Sequence, residues 1–505
     1  MRVVTVNEQQ SEYDVVIIGA GISGIGAAHY LRTEHPQRTF TILEGRDTFG
    51  GTWDLFRYPG IRSDSDLNTM GFEFKPWRDK DAIASGDKIL TYLKEAIAED
   101  NLGDKIQYRH KVVGAAWSSL AAKWTLDVET TDANGGVSHK QLRANWIYLG
   151  TGYYDYDNPY LPEFKGRDDF KGTVVHPQHW PENLDYKGKK VVVIGSGATA
   201  VTLIPSMLEG PGAAAHITML QRTPTYIATV PKQDKIAIAL RKLFGDDRAY
   251  KMVRNRNIKR QHRIYTMAMK HPEFVKKAIR KGQAKELPAD FDFDKHLNPP
   301  YNPWTQRLCA VPDGDLFKAI SAGKADIVTD TIETFTPTGI RLTSGQELEA
   351  DVIVTATGLN LKFLGGMQLT VDGKPVVLKD VVQFRGCMYS TVPNVVAAFG
   401  YTNASWTLKI GILSQYWSKL MTYMDQHGYD AVVPVAPEGM TLTPSLDFGS
   451  GYVQRKADEL SRQGDHGAWI SSTGYLSDRK LLKEGHFPEP GLEFSVARSR
   501  ILSHA

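Results

Sequence analysis

Asp14-Val15-Val16-Ile17-Ile18-Gly19-Ala20-Gly21-Ile22-Ser23-Gly24 is the stretch whose reading decides the fold. Its uninterrupted β-branched run reads as a parallel strand buried on both faces. The glycines follow at once. Gly19 permits a tight turn, Gly21 lets backbone approach a pyrophosphate, and Gly24 lets a helix pack on the strand. The helix continues through Ala27, Ala28 and Leu31. Its first-turn amides, at Ser23 and Gly24, and its dipole suit phosphate. A second strand, Phe40-Thr41-Ile42-Leu43, ends in Glu44. A carboxylate there accepts both ribose hydroxyls and repels a 2′-phosphate, so the site suits FAD or NAD rather than NADP. Glycines alone are a weak signal, but strand, glycines, helix, strand and acid in register are a strong one.

The plan then repeats. Val191-Val192-Val193-Ile194 leads into Gly195-Ser196-Gly197-Ala198-Thr199-Ala200, a helix through Leu203, and the strand Ile217-Thr218-Met219-Leu220. This copy ends in Gln221-Arg222-Thr223, without an acid. Arg222 can pair with a 2′-phosphate and Thr223 can donate to it, so the second site prefers NADPH. Each copy has a closing strand ending in glycine, Trp146 to Leu149 before Gly150 and Asp351 to Thr357 before Gly358. The expected fold is α/β, with two Rossmann-like three-layer dinucleotide-binding domains, one inserted in the other. The FAD domain spans 1–153 and 367–505, the NADPH domain 160–228 and 305–366, and a helical insertion 229–304.

The remaining chain fills in this frame. At 505 residues there is room for two or three domains of roughly 150 residues. A net charge of +3 gives no global pull toward nucleic acid. Two cysteines, Cys309 and Cys387, form neither a CxxC nor a ligand cluster, which disfavours a disulfide scaffold, a metal site and a dithiol redox centre. No apolar run approaches the roughly 18 residues of a membrane span. The N-terminus reads as a frayed tail without a signal peptide, and the expected location is the cytoplasm. Gly50 to Asp64 is a turn-rich loop whose Trp53, Phe56 and Tyr58 point to a cofactor cover. Residues 88–101 read as a helix, and 106–145 as a small antiparallel insertion. Phe399 to Ser405 lead into an amphipathic helix through Leu408, Ile412, Tyr416, Leu420 and Tyr423, with Asn403 or Ser405 as its cap. Residues 430–505 read as irregular. Between 232 and 286, seventeen Lys or Arg face five Asp or Glu, a local +12. That segment reads as helical, with Ile236, Ala239, Leu240 and Leu243 on one face. A solvated insertion that also attracts an anionic cofactor is preferred there over a membrane-surface patch.

Between the fingerprints lies Phe170-x-Gly172-x-x-x-His176-x-x-x-Trp180-Pro181. With Gly50-Gly51-x-Trp53, Tyr58-Pro59-Gly60 and Asp64, it resembles the two signatures of the Baeyer–Villiger monooxygenases, class B flavoprotein monooxygenases. The resemblance covers nearly the whole chain. It is greatest to the mycobacterial ethionamide-activating group, on Asp54 to Pro59, His176 to Pro181, Tyr301 to Leu308 and Gly400 to Leu408. It implies FAD and NADPH as cofactors and a C4a-peroxyflavin that inserts one oxygen atom of O2 into ketones, giving esters or lactones. It also implies oxidation of sulfide or thioamide sulfur.

The resemblance also assigns roles. Arg307 matches the family's catalytic arginine, and a permanently charged guanidinium suits an anionic adduct in a dry site. Asp64 can orient it by an ion pair. Gly51, Thr52 and Trp53 join the cofactor-binding set. Many members carry lysine where this chain has Gln306, which leaves NADPH preference to Arg222 and Thr223. Phe170, Gly172, His176 and Trp180 form a signature connector, with His176 as a hinge and packing residue coupling the domains and Trp180 as an apolar anchor. Two other functions fit the fingerprints, a heteroatom-oxidising monooxygenase and a non-catalytic redox-sensing flavoprotein. The physiological substrate and oligomeric state are left open.

Overall fold

The computed structural model describes residues 11–306, 308–446, 449–471 and 474–502. The strand Ser11–Ile18 lies in the interior of a nine-stranded sheet. It pairs in parallel with Phe40–Leu43 on one side and with the end of Val137–Leu149 on the other. Val15 and Ile17 face one core cluster and Val16 and Ile18 another. Burial on both faces explains the absence of polar alternation; each such side chain contributes roughly 1.5–3 kcal/mol. The expected tail is shorter than read, because Ser11, Glu12 and Tyr13 already pair with Leu142, Arg143 and Ala144. Met1 to Gln10 lie outside the described residues.

The antiparallel region between 106 and 145 is not a separate insertion. Val137–Leu149 is one strand whose first half pairs antiparallel with Lys123–Thr131 and whose second half pairs in parallel with Ser11–Ile18. The meander therefore extends the nucleotide sheet itself. Trp124, Leu126 and Val128 are buried, while the residues between them are more exposed.

The second sheet is wholly parallel, in the order Ala325–Thr329, His216–Gln221, Lys190–Ile194, Val352–Thr355 and Thr173–Val175. Its last strand lies inside the stretch read as a connector, which is thus partly built into the second sheet. Phe170 is buried and meets Phe335 edge-on at 6.4 Å. A Cβ on Gly172 would stand 2.4 Å from the Asp351 carbonyl oxygen, so this position admits no side chain without moving backbone. Trp180 is half-buried against the second sheet's core.

The amphipathic helix spans Trp406–His427 and buries Leu408, Ile412, Tyr416 and Leu420 against the first fingerprint helix, Ile22–Glu34. Ser405 occupies the cap position, but its hydroxyl meets Thr69 Oγ1 at 2.7 Å rather than capping an amide. Residues 430–502 are more regular than read. Ala431–Pro434 pairs with Leu492–Ser495, and Tyr475–Lys483 is a helix on the long one. Its Asp478 meets the buried ammonium of Lys409 at 2.5 Å, a cation hidden in an otherwise apolar stripe.

Three helices, Lys235–Phe244, Asp246–Lys270 and Pro272–Gln283, carry the basic segment. The base of the middle one is anchored rather than solvated. Arg254 is buried and donates to the carbonyls of Asn68, Thr69 and Gly71, and Tyr250 donates to Phe72 O at 2.8 Å. The face shared by Ile236, Ala239 and Leu243 is turned outward, not inward.

Candidate functional site

Both fingerprints are built from the same backbone geometry. Gly19 has φ +101° and Gly195 φ +124°, and a Cβ on either would collide with a carbonyl oxygen of the closing strand's end, Gly150 at 2.6 Å or Ala356 at 2.4 Å. Gly24 sits under the turn, where a Cβ would lie 1.9 Å from Gly19 O. Gly21 is different. A Cβ there would meet only Gly51 Cα at 3.7 Å, and one on Gly197 would meet nothing within 4 Å. At these two positions the missing side chain leaves a cradle for a ligand. The helices that follow start without a side-chain cap, so their first-turn amides remain available to an anion.

The first fingerprint opens into a cavity of about 1230 Å³. A single small-ligand pocket holds roughly 300–1,000 Å³, so there is room for more than one ligand. Gly19, Gly21, Ser23, Glu44, Gly51, Thr52, Trp53 and Asp64 all line it. Glu44 Oε2 accepts from Ala20 N at 2.8 Å and Oε1 from Arg46 N at 3.0 Å. Burial raises its carboxyl above the ordinary range, against those two hydrogen bonds. A ribose hydroxyl would resolvate that carboxylate, so the residues fit a dinucleotide without a 2′-phosphate.

The second fingerprint does not line this cavity among the described residues. Thr199 instead meets the Tyr58 hydroxyl, whose acidity is lowered by burial. Arg222 and Thr223 are exposed at the end of His216–Gln221, while Gln221 is turned inward and donates to His296 O and Thr329 Oγ1. The open cradle at Gly197 and the exposed Arg222 fit an NADPH-like dinucleotide. Arg307 lies outside the described residues; its sequence neighbours Trp304 and Leu308 line the cavity.

The loop after Gly50 divides its aromatics. Trp53 lines the cavity, whereas Phe56 and Tyr58 are buried in the second sheet's core. They hold the loop to the second unit rather than covering a cofactor. Gly60 makes the close approach, since a Cβ there would fall 1.9 Å from Ser206 Oγ.

Other wall residues went unread in the sequence. Tyr156, after the closing glycine, meets Thr52 Oγ1 at 3.2 Å, and burial pushes its phenol up to about 12. The Tyr153-Tyr154-Asp155-Tyr156 run was the signal for it. Trp406 Nε1 donates to Ser23 Oγ at 2.8 Å, tying the long helix to the cradle. Buried Asp66 accepts from Asn257 Nδ2 at 3.0 Å and Gln261 Nε2 at 2.9 Å, so the helical insertion forms a cavity wall.

Gln178, not His176, makes the side-chain bridge from the signature to this cavity. Its Nε2 donates to the carbonyls of Asp155 and Tyr156, both at 2.9 Å. His176 Nδ1 accepts from Gln178 N at 3.1 Å and so positions it. Burial lowers the His176 imidazole from 6.5 to about 4. The unfolded chain therefore takes up a proton that the folded chain refuses. The stability this ring contributes is complete above about pH 6.5 and is lost as pH falls toward 4. After solvent screening it amounts to ~1–2 kcal/mol. Melting temperatures at pH 7 and pH 5 should show a smaller acid loss in His176→Gln than in the parent; equal losses would mean the ring is solvated.

Among the described residues there is no cluster able to hold a metal ion, and Cys309 and Cys387 are buried thiols. Residues 16–278 match a family model described as pyridine nucleotide-disulphide oxidoreductase. The chain is 49% identical over 487 residues to a probable FAD-binding monooxygenase, AlmA, of an Acinetobacter species, covering 96% of this chain and 97% of that protein. It is 47% identical over 490 residues to the FAD-containing monooxygenase EthA of Mycolicibacterium smegmatis, covering 97% and 98%. An oxidized steroid monooxygenase bound to NADP shares the fold, with TM-score 0.74 and 20% identity, covering 96% of this chain and all of that one.

Proposed function

The chain belongs to the FAD-containing monooxygenases, and on that premise we propose that it is an NADPH-dependent Baeyer–Villiger enzyme. It inserts one oxygen atom of O2 into ketones to give esters or lactones, and also oxidises sulfide or thioamide sulfur. The observation that carries the reading is the joining of two features in one cavity. The Gly21 cradle and buried Glu44 open into the same space as Asp64, Trp304 and Leu308, which flank or match the second signature and the catalytic loop.

Bound FAD, reduced by NADPH, supplies the two electrons that send one oxygen atom of O2 to water and leave the other for the substrate. The protein's part is binding, orientation and charge. Gly21 and the amides after it hold the pyrophosphate, and Glu44 accepts from the ribose. Arg222 and Thr223 hold the 2′-phosphate of NADPH. Arg307 places a fixed cation where negative charge develops on oxygen, and Asp64 orients it. Trp53, Trp304, Tyr401 and Trp406 line the cavity with aromatic surface and exclude water, which strengthens that charge interaction.

The test is turnover of flavin-loaded enzyme with NADPH, labelled dioxygen and a panel of ketones and sulfides. The expected result is a product carrying one labelled oxygen atom and consumption of one NADPH per product. NADPH oxidation that releases only hydrogen peroxide across the panel would overturn it.

A further inference from the structure

The basic helical insertion combines two properties that neither dinucleotide binding nor oxygen transfer requires. Of sixteen exposed large hydrophobic side chains among the described residues, eight fall between 236 and 274. They are Ile236, Leu243, Phe244, Met252, Ile264, Met267, Met269 and Phe274. Solitary exposed apolar groups are ordinary, whereas several that share one rim mark an interaction surface. Four of them, Ile236, Ile264, Met267 and Phe274, are 57, 42, 41 and 62% exposed and also line the cavity, so they form its rim. From Lys259 to Lys270 the middle helix fully buries only Ala268.

The charge lies on the same elements. Lys235 and Arg260 line the cavity beside those apolar groups, and Lys259, Arg263 and Lys270 are exposed on the second half of the middle helix. None of these five forms an ion pair among the described residues. An anionic cofactor would account for cations inside the cavity. It accounts neither for Leu243 and Met269, which do not line it, nor for apolar side chains at its rim. A second copy of the chain would bring one basic segment, +12 between 232 and 286, against another. Nucleic acid would leave the apolar rim without a partner.

We propose that this insertion docks the enzyme on an anionic lipid bilayer, with Ile264, Met267 and Phe274 entering the headgroup layer and the surrounding lysines and arginines on anionic headgroups. The cavity mouth then faces the membrane, and an apolar substrate reaches the flavin without crossing water. No helix among the described residues is long and apolar enough to span a bilayer, so the contact is a surface one. The inference stands apart from the oxygen-transfer reading, because docking is read without turnover.

The experiment is sedimentation of the FAD-loaded protein with vesicles of phosphatidylcholine alone and of equimolar phosphatidylcholine and phosphatidylglycerol. Binding should appear with the anionic vesicles and weaken steeply as salt rises. The Lys259→Glu/Arg263→Glu protein should bind at least about tenfold more weakly, as expected for loss of lysine or arginine contacts near an anionic surface. It should keep its flavin and its activity on a water-soluble ketone. Phe274→Ser should weaken binding at high salt as well, where the apolar contact carries it. Val137→Glu, exposed on a distant hairpin, should bind as the parent does. No sedimentation with anionic vesicles at low salt overturns the proposal. So does pelleting without vesicles, which would indicate self-association. Equal binding by the charge-reversed protein, or displacement from vesicles by duplex DNA at lower concentration than by anionic lipid, overturns it too.

Discussion

Gly21→Ala should purify as a folded, colourless protein. The added methyl has room within the chain itself, since its nearest neighbour would be Gly51 Cα at 3.7 Å. It projects instead into the cavity, where a pyrophosphate must approach the backbone. The flavin then sits back from the first-turn amides or does not bind. Forcing a methyl into a filled contact costs about 3 kcal/mol where neither side can yield, which is more than about a hundredfold in affinity. Gly24→Ala makes the informative contrast. Its methyl would lie 1.9 Å from Gly19 O, backbone against backbone, so the helix must lift from the strand. That substitution should lose flavin and melting temperature together. Flavin absorbance of both proteins as isolated, and their thermal unfolding, check this. A Gly21→Ala protein that is yellow as isolated, with parent-like flavin affinity, would mean that the first fingerprint is not where FAD binds.

Arg307→Ala has the larger expected effect on chemistry. Removing a fixed donor aimed at a developing oxyanion typically costs about 10²–10³ in kcat, or roughly 3–4 kcal/mol. Ketone oxidation should fall by at least that factor. Reduction of the bound flavin by NADPH, followed in a stopped-flow instrument without oxygen, should stay within several-fold of the parent. Arg307→Lys keeps the charge but loses the two-pronged donor, so it should recover part of the activity. Parallel loss of flavin reduction and ketone oxidation in Arg307→Ala would assign the residue to NADPH binding instead. Asp64→Asn should follow the same pattern more weakly, if its carboxylate acts by orienting the guanidinium.

The segments legible in the sequence were those whose geometry lies in their own backbone. Gly19, Gly21 and Gly24 are spaced by the geometry of one strand, one turn and one helix, and Glu44 follows from the next strand in register. Local patterns of that kind survive any tertiary arrangement. The wall of the cavity is another matter. Tyr156, Trp406, Asp66 and Gln261 come from distant parts of the chain, and only the packed fold brings them together. Phe56 and Tyr58 show the same limit from the other side. Their aromatic character called for burial, but the sequence could not say against which surface. The choice fell to the second sheet's core.

The basic segment marks the boundary most clearly. Its charge and its helical period are properties of the sequence alone. Whether Ile236 and Leu243 face a core or water depends on which side of the helix the rest of the molecule covers, and here it covers the other side. Periodicity identifies an apolar face but carries no information about its partner. The two glycine-rich turns were therefore written locally, in glycines and strand ends. The shape of the cavity between distant elements, and the direction in which its mouth opens, belong to the tertiary structure, because both are set by contacts between residues hundreds of positions apart.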